Sequence, residues 1–130
     1  MKELKRVLHV DDEADIREIG KLALEAVGGF MVESCASGSE AVQKGPGFAP
    51  DLLLLDVMMP GMDGPATLRA LREIIILKNV PAVFMTAKAQ PSEIAALKAL
   101  GAVDVIVKPF DPMSLAQQLS DIWSRATGGS

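Results

Sequence analysis

Asp11, Asp12, Asp56, Thr86 and Lys108 have one property in common: each stands at the end of a short apolar run. The plainest case is the stretch PDLLLLDVMMPGMDG at positions 50–64, where four consecutive leucines lead into the carboxylate of Asp56. A short apolar run bounded by turn residues reads as a strand buried on both faces. Pro60 offers no backbone donor, and Gly61 and Gly64 favour turns, so the strand is expected to end at Asp56. In an open parallel sheet that carboxyl edge is where ligands bind, which makes a charge there a candidate for chemistry. Alone, Asp56 is equally an aspartate that caps a turn.

The same ambiguity holds for the others taken singly. Asp11 and Asp12 read as a solvated helix cap, Thr86 as a strand-end hydroxyl and Lys108 as a surface charge. At successive strand ends, however, three carboxylates, a hydroxyl and an ammonium converge on one crevice. Two carboxylates about 5 Å apart at an effective dielectric near 20 repel by roughly 3 kcal/mol, so three together require a cation. A hard divalent ion with oxygen ligands relieves the repulsion, and Mg2+ suits a site with few protein ligands because it retains waters and accepts phosphate oxygens. The set then reads as machinery for phosphoryl transfer. Asp56 is the nucleophile, Mg2+ and Lys108 neutralise the oxygens of the transferring group, and Thr86 donates to one of them.

The chain supplies elements to carry these residues. Strands are expected at 6–10, 30–35, 52–56, 80–86 and 103–107. Between them run helical patterns. The first has Ile16, Ile19, Ala23 and Val27 at helical spacing and stops at Gly28-Gly29. The second opens on a Ser37/Glu40 capping box and is expected to stop near Lys44, before Gly45-Pro46-Gly47. The third has Asp63 as cap, Pro65 in its first turn and Leu68, Leu71 and Ile75 facing inward. Ile74, Ile76 and Leu77 add apolar surface that either packs on the sheet's lower edge or faces a partner. The fourth begins at Pro91 and closes at Gly101; the last begins at Asp111-Pro112, with Leu115, Leu119 and Ile122 as its stripe. Five alternating pairs with short connections imply one α/β domain, a doubly wound parallel sheet with helices on both faces.

Composition is consistent with this. In 130 residues, 49% apolar, there is material for one core. No apolar run approaches a membrane span, and no signal peptide leads the chain, so a cytoplasmic location is expected. The one cysteine, Cys35, fits a buried thiol in a reducing compartment. A net charge of −4, with Lys and Arg scattered, argues against direct nucleic-acid binding.

Val10-Asp11-Asp12-Glu13, Leu55-Asp56-Val57-Met58-Met59-Pro60-Gly61-Met62-Asp63-Gly64, Met85-Thr86-Ala87 and Val107-Lys108-Pro109-Phe110 together resemble a response-regulator receiver domain of two-component signalling. The resemblance covers about residues 7–125. It implies a CheY-like fold with strand order 2-1-3-4-5, a receiver at 1–126 and a frayed tail at 127–130 without an output domain. By the same resemblance Asp56 is phosphorylated from the phosphohistidine of a histidine kinase or phosphotransfer protein. Asp11, Asp12, Asp56 and the Met58 backbone carbonyl hold Mg2+, Thr86 and Lys108 contact the phosphoryl group, and Lys108-Pro109 is a cis peptide. The protein then catalyses only its own phosphorylation and dephosphorylation, acts as a monomer or weak dimer, and addresses a target protein through the face of helix four, strand five and helix five. His9 is not the family's phosphorylated histidine; inside strand one it is a core or sheet-edge imidazole.

Two positions depart from the family pattern. Receivers commonly carry an aromatic residue three positions before the lysine, and here that position is Val105. Of the charged network that supports dimerisation in some members, only Asp104 is evident. Met58 and Lys88, two residues after Asp56 and Thr86, are expected to govern attack of water on an acyl phosphate. A haloacid-dehalogenase-like phosphatase uses a similar residue set, but it requires a second aspartate at the place of Met58 and a cap domain for which there is no room. A receiver cut from a phosphorelay or hybrid kinase is a further alternative.

Overall fold

In β3 (Leu52–Asp56) every residue is buried, and the rest of the fold is laid out around it. The computed structural model describes residues 3–128. β1 (Arg6–Val10) and β4 (Ala82–Thr86) flank β3, with β2 (Met31–Cys35) outside β1 and β5 (Asp104–Val107) outside β4. All pairings are parallel, in the order β2-β1-β3-β4-β5, which is the expected doubly wound sheet. The helices are α1 (Ala14–Leu22), α2 (Gly38–Phe48), α3 (Gly64–Arg72), α4 (Pro91–Ala99) and α5 (Leu115–Ala126).

Strand alternation divides the apolar side chains between two layers. Leu52, Leu54, Val83 and Met85 meet Leu24, Leu115, Leu119 and Ile122 on the α1/α5 side. Leu53, Leu55 and Phe84 meet Ala41, Leu68, Leu71 and Leu77 on the α2/α3 side. Parallel strands covered on both faces are continuous apolar runs for this reason.

Several local expectations need correction. Of the expected stripe Ile16, Ile19, Ala23 and Val27, only Ala23 is buried: Gly20 and Leu24 face the sheet with it, Ile16 is half-buried, and Ile19 and Val27 are exposed. The helix approaches the sheet at Gly20 because the His9 ring lies beneath it; a Cβ there would sit 2.8 Å from His9 Cε1. Its last turn, Ala23–Val27, widens to a π-turn, which shifts the buried face by about a residue.

α2 runs through Gly45-Pro46-Gly47 to Phe48. Pro46 removes one helical donor, but Gly45 lets the helix press onto Leu8, Leu71 and Leu77. Phe48 is held by Arg6, whose guanidinium lies 4.4 Å from the ring centroid and whose Nε donates to the Phe48 carbonyl at 2.7 Å. The stop comes at Ala49, in the left-handed region at φ 53°. The Ser37 hydroxyl caps the Glu40 N–H as expected, while the Glu40 carboxylate returns to the Ala36 N–H.

α3 ends at Arg72, and Ile75 is not part of its inward face. Arg72 Nη1 donates to the carbonyls of Leu77 and Val80 at 3.0 and 2.6 Å, turning the chain into a 3-10 turn (Ile75–Leu77). Leu77 is thereby buried and Ile75 left 88% exposed. The apolar stretch thus divides: Ile74 and Leu77 pack, and Ile75 and Ile76 face outward. α5 begins three residues later than Pro112, because the Asp111 carbonyl first accepts from the Ser114 and Leu115 N–H groups. Trp123 joins the expected stripe of Leu115, Leu119 and Ile122. Thr127 closes the helix, donating both N–H and hydroxyl to the Trp123 carbonyl; Gly129 and Ser130 lie outside the described residues.

Candidate functional site

The parallel sheet places the ends of β1, β3, β4 and β5 along one edge. β1 delivers Asp11, fully buried, and then Asp12, exposed. β3 ends on Asp56 and β4 on Thr86, both buried, and β5 leads into Lys108. Carboxylate oxygens of Asp11, Asp12 and Asp56 lie within 4.8 Å of one another. Lys108 Nζ stands among them, 3.0 Å from Asp11 Oδ2, 2.9 Å from Asp56 Oδ1 and 3.7 Å from Glu13 Oε1. The structure therefore brings together the three carboxylates and the lysine picked out from the sequence, and Thr86 ends the strand next to Asp56.

The loops hold this geometry through the backbone. Val57 N–H donates to the Met85 carbonyl and Gly64 N–H to the Val57 carbonyl, folding 57–64 back over the end of β3. A Cβ at Gly64 would collide with the Asp56 carbonyl oxygen, so this close approach requires glycine. Gly61 takes φ 73° in the same turn, and Asp63 Oδ1 caps α3 at the Ala66 N–H. The Met58 side chain is 68% exposed. Thr86 Oγ1 accepts from the Lys88 N–H at 3.1 Å, and Lys88 itself is exposed. Lys108-Pro109 is a cis peptide. Val105 is half-buried and packs against the α2/α3 layer.

Electrostatically the site carries an excess of negative charge. Burial raises the Asp56 pKa, Lys108 opposes this, and Asp11 and Asp12 add to it. For Lys108, burial favours the neutral amine, but hydrogen bonds with Asp56 and Asp11 and the charges of both outweigh it and hold the ammonium above its usual range. Burial sets the direction for Asp56, and the two neighbouring carboxylates set it for Lys108. Three carboxylate oxygens at this spacing suit a hard divalent cation that completes its shell with water or phosphate oxygens.

Two residues near the site went unassigned in the sequence reading. Glu13 closes the acidic run and faces Lys108; its N–H also donates to Asp11 Oδ1 at 2.9 Å. Arg17 lies one helical turn after Glu13, and its Nη1 donates to the Asp11 carbonyl at 2.7 Å. The i,i+4 spacing that puts both on one helix side was the available signal. His9 is fully buried one step below Asp11, and burial lowers its pKa to about 4 despite the opposing charge of Asp11. It is the core imidazole expected.

Residues 7–120 match the family described as the response regulator receiver domain. The chain is 36% identical over 122 residues to the transcriptional regulatory protein ResD of Bacillus subtilis, covering 94% of this chain and 49% of that protein. It is 35% identical over 125 residues to the phosphate regulon transcriptional regulatory protein PhoB of Pseudomonas aeruginosa, covering 96% and 54%. The chain thus spans about half the length of such relatives. Among solved structures, the chemotaxis response regulator CheY4 of Vibrio cholerae superposes with a TM-score of 0.84 at 34% identity, covering 92% of this chain and 98% of that one. A response regulator from Chloroflexus aurantiacus superposes at 0.83 with 34% identity, covering 95% and 100%. The chain has the fold of these solved structures and belongs to the response regulator receiver domains of two-component signalling. Among the described residues no helix is long and apolar enough to cross a membrane.

Proposed function

We propose that Asp56 is the phosphoacceptor of a signalling switch that receives its phosphoryl group from a phosphohistidine on a histidine kinase or phosphotransfer protein. The observation that carries this reading is the Lys108 ammonium, 2.9 Å from Asp56 and 3.0 Å from Asp11. A cation so placed bridges the two carboxylates, beside the point where a phosphoryl group on Asp56 would bring its oxygens. Asp56 Oδ attacks phosphorus, the P–N bond breaks, and the donor histidine keeps its electron pair and takes up a proton from solvent. Lys108 then pairs with an oxygen of the phosphoryl group, and the Thr86 hydroxyl donates to another. Asp11, Asp12, Asp56 and the Met58 carbonyl would hold Mg2+, which would neutralise the charge of the transferring group.

An apolar groove of about 310 Å³ opens beside Lys108, lined by Ile16, Ile19, Ala87, Pro109, Phe110 and Pro112. Its position suits the donor protein, which must bring its histidine to Asp56. The α4/β5/α5 face would then remain for a target. On that face Asp104 pairs within the chain, 3.6 Å from Lys98 and 3.2 Å from Arg125, which favours a monomer or weak dimer.

Acetyl phosphate with Mg2+ should form one base-labile acyl phosphate, read by intact mass, and Asp56→Asn should abolish it. Undiminished labelling of that variant would refute the assignment. The adduct should persist for minutes or longer, because a thioether at Met58 does not orient water and Lys88 offers a cation rather than a base. Decay within seconds, unchanged when Met58 is replaced by Asn, would contradict that account.

A further inference from the structure

We infer that Arg17 is a positioning residue of the metal and phosphoryl site, acting through the main-chain carbonyl of Asp11; the inference rests on the function proposed above. Asp11 is held at four atoms. Its N–H donates to the Cys35 carbonyl at 3.0 Å, Oδ1 accepts from the Glu13 N–H at 2.9 Å, and Oδ2 faces Lys108 at 3.0 Å. The fourth atom, the carbonyl oxygen, accepts from Arg17 Nη1 at 2.7 Å. Three of these contacts come from the strand pair, the turn and the site's own lysine. Only the guanidinium reaches in from α1.

That carbonyl has particular leverage. It shares a planar peptide unit with the N–H of Asp12, so fixing its direction fixes the plane from which the Asp12 side chain departs. Asp12 is exposed and its side chain makes no hydrogen bond among the described residues. Its carboxylate nevertheless belongs to the cluster with Asp11 and Asp56. Backbone placement is what keeps it there. A short, charge-assisted bond from a half-buried guanidinium is stronger than a neutral one and suits this task.

Charge and position predict opposite outcomes, which makes the inference testable. Removing a cation from the vicinity of a dication site should, by electrostatics alone, tighten metal binding. If Arg17 acts by position, Arg17→Ala should instead weaken Mg2+ binding by about tenfold in calorimetric titration, as loss of one hydrogen bond to a charged group implies. Arg17→Lys, which keeps an ammonium within reach of the carbonyl, should recover most of the affinity. In metal-free protein the Glu13 N–H should exchange faster in Arg17→Ala than in wild type or Arg17→Lys. Unchanged or tighter Mg2+ binding in a folded Arg17→Ala variant would overturn the inference. Equal weakening in both variants with a matching fall in Tm would also overturn it, since that is the signature of packing. If wild type neither binds Mg2+ nor becomes labelled at Asp56, the proposed function fails and this inference with it. Wild-type binding and labelling beside an indifferent Arg17→Ala sinks the inference alone.

Discussion

α4 and α5 both pack beside β5, yet they are attached in different ways. α5 buries Leu115, Ala116, Leu119, Ile122 and Trp123, on a regular stripe against the sheet. α4 buries no residue fully; Ile94 and Leu97 are half-buried, and its remaining apolar residues are spread around the helix. Few buried apolar contacts mean a low free energy for local displacement. The weakly attached helix is the one that follows Thr86, through the exposed segment 87–90. A change at Thr86 therefore meets little resistance in α4 and a large one in α5, so α5 serves as the fixed wall of the domain.

Truncation should expose the contrast most strongly. Leu119→Ala removes a fully buried side chain and should cost about 3–4 kcal/mol, whereas Leu97→Ala, half-buried, should cost less than about 1 kcal/mol. Denaturant unfolding of the two variants would measure this, and equal losses would break the comparison. A smaller effect should come from acid. His9 lies in the sheet on the α1 side, with a pKa lowered from 6.5 to about 4 by burial first, then by Lys108 and Arg17 against Asp11. Between those values the unfolded chain binds the proton and the fold does not, so stability is retained above pH 6.5 and falls as pH drops towards 4. The full loss would be on the order of 3 kcal/mol. His9→Leu should flatten this slope in a Tm-versus-pH series, while α4 amide exchange keeps its own, lower protection in both proteins.

The smallest effect concerns the signal itself. An aromatic ring in place of Val105 could take two discrete positions, but valine is short, β-branched and limited to few rotamers. Beryllofluoride with Mg2+, as a stand-in for the phosphoryl group, should therefore perturb amides of residues 87–94 most and those of 103–105 least. Changes of equal size at 103–105 would show that β5 relays the signal despite Val105, and would remove the special standing of α4.

The sheet and the edge residues were legible because their signals are local. Buried parallel strands are short apolar runs, and a charge at the end of such a run is conspicuous, as Asp56 is after four leucines. What could not be read depended on which side chain or carbonyl a residue meets once the chain is folded. Gly20 meets the sheet because His9 lies beneath it, which the spacing of Ile16 and Ile19 does not encode. α2 passes through Gly45-Pro46-Gly47 because Leu71 and Leu77 reward the close approach of Gly45. Ile75 turns outward because Arg72 reaches the carbonyls of Leu77 and Val80. In the site, the carboxylates and lysine were visible by type, while for Arg17 the i,i+4 spacing from Glu13 gave only its helix side, since its main-chain acceptor leaves no mark in a sequence.

Cys35 gives the molecule a built-in timer. It is the sole cysteine, fully buried at the end of β2, and its thiol pKa is pushed up to about 12, first by burial and then by Glu40 and Glu33. At pH 8 that leaves on the order of one thiolate in ten thousand, so an alkylating reagent finds almost nothing to attack while the strand stays in place. The Cys35 carbonyl is also the acceptor for the Asp11 N–H, so separation of β2 from β1 frees the sulfur and slackens the acidic edge in the same event. The rate at which one unmodified sulfhydryl disappears would therefore count openings of that strand pair, without any introduced label.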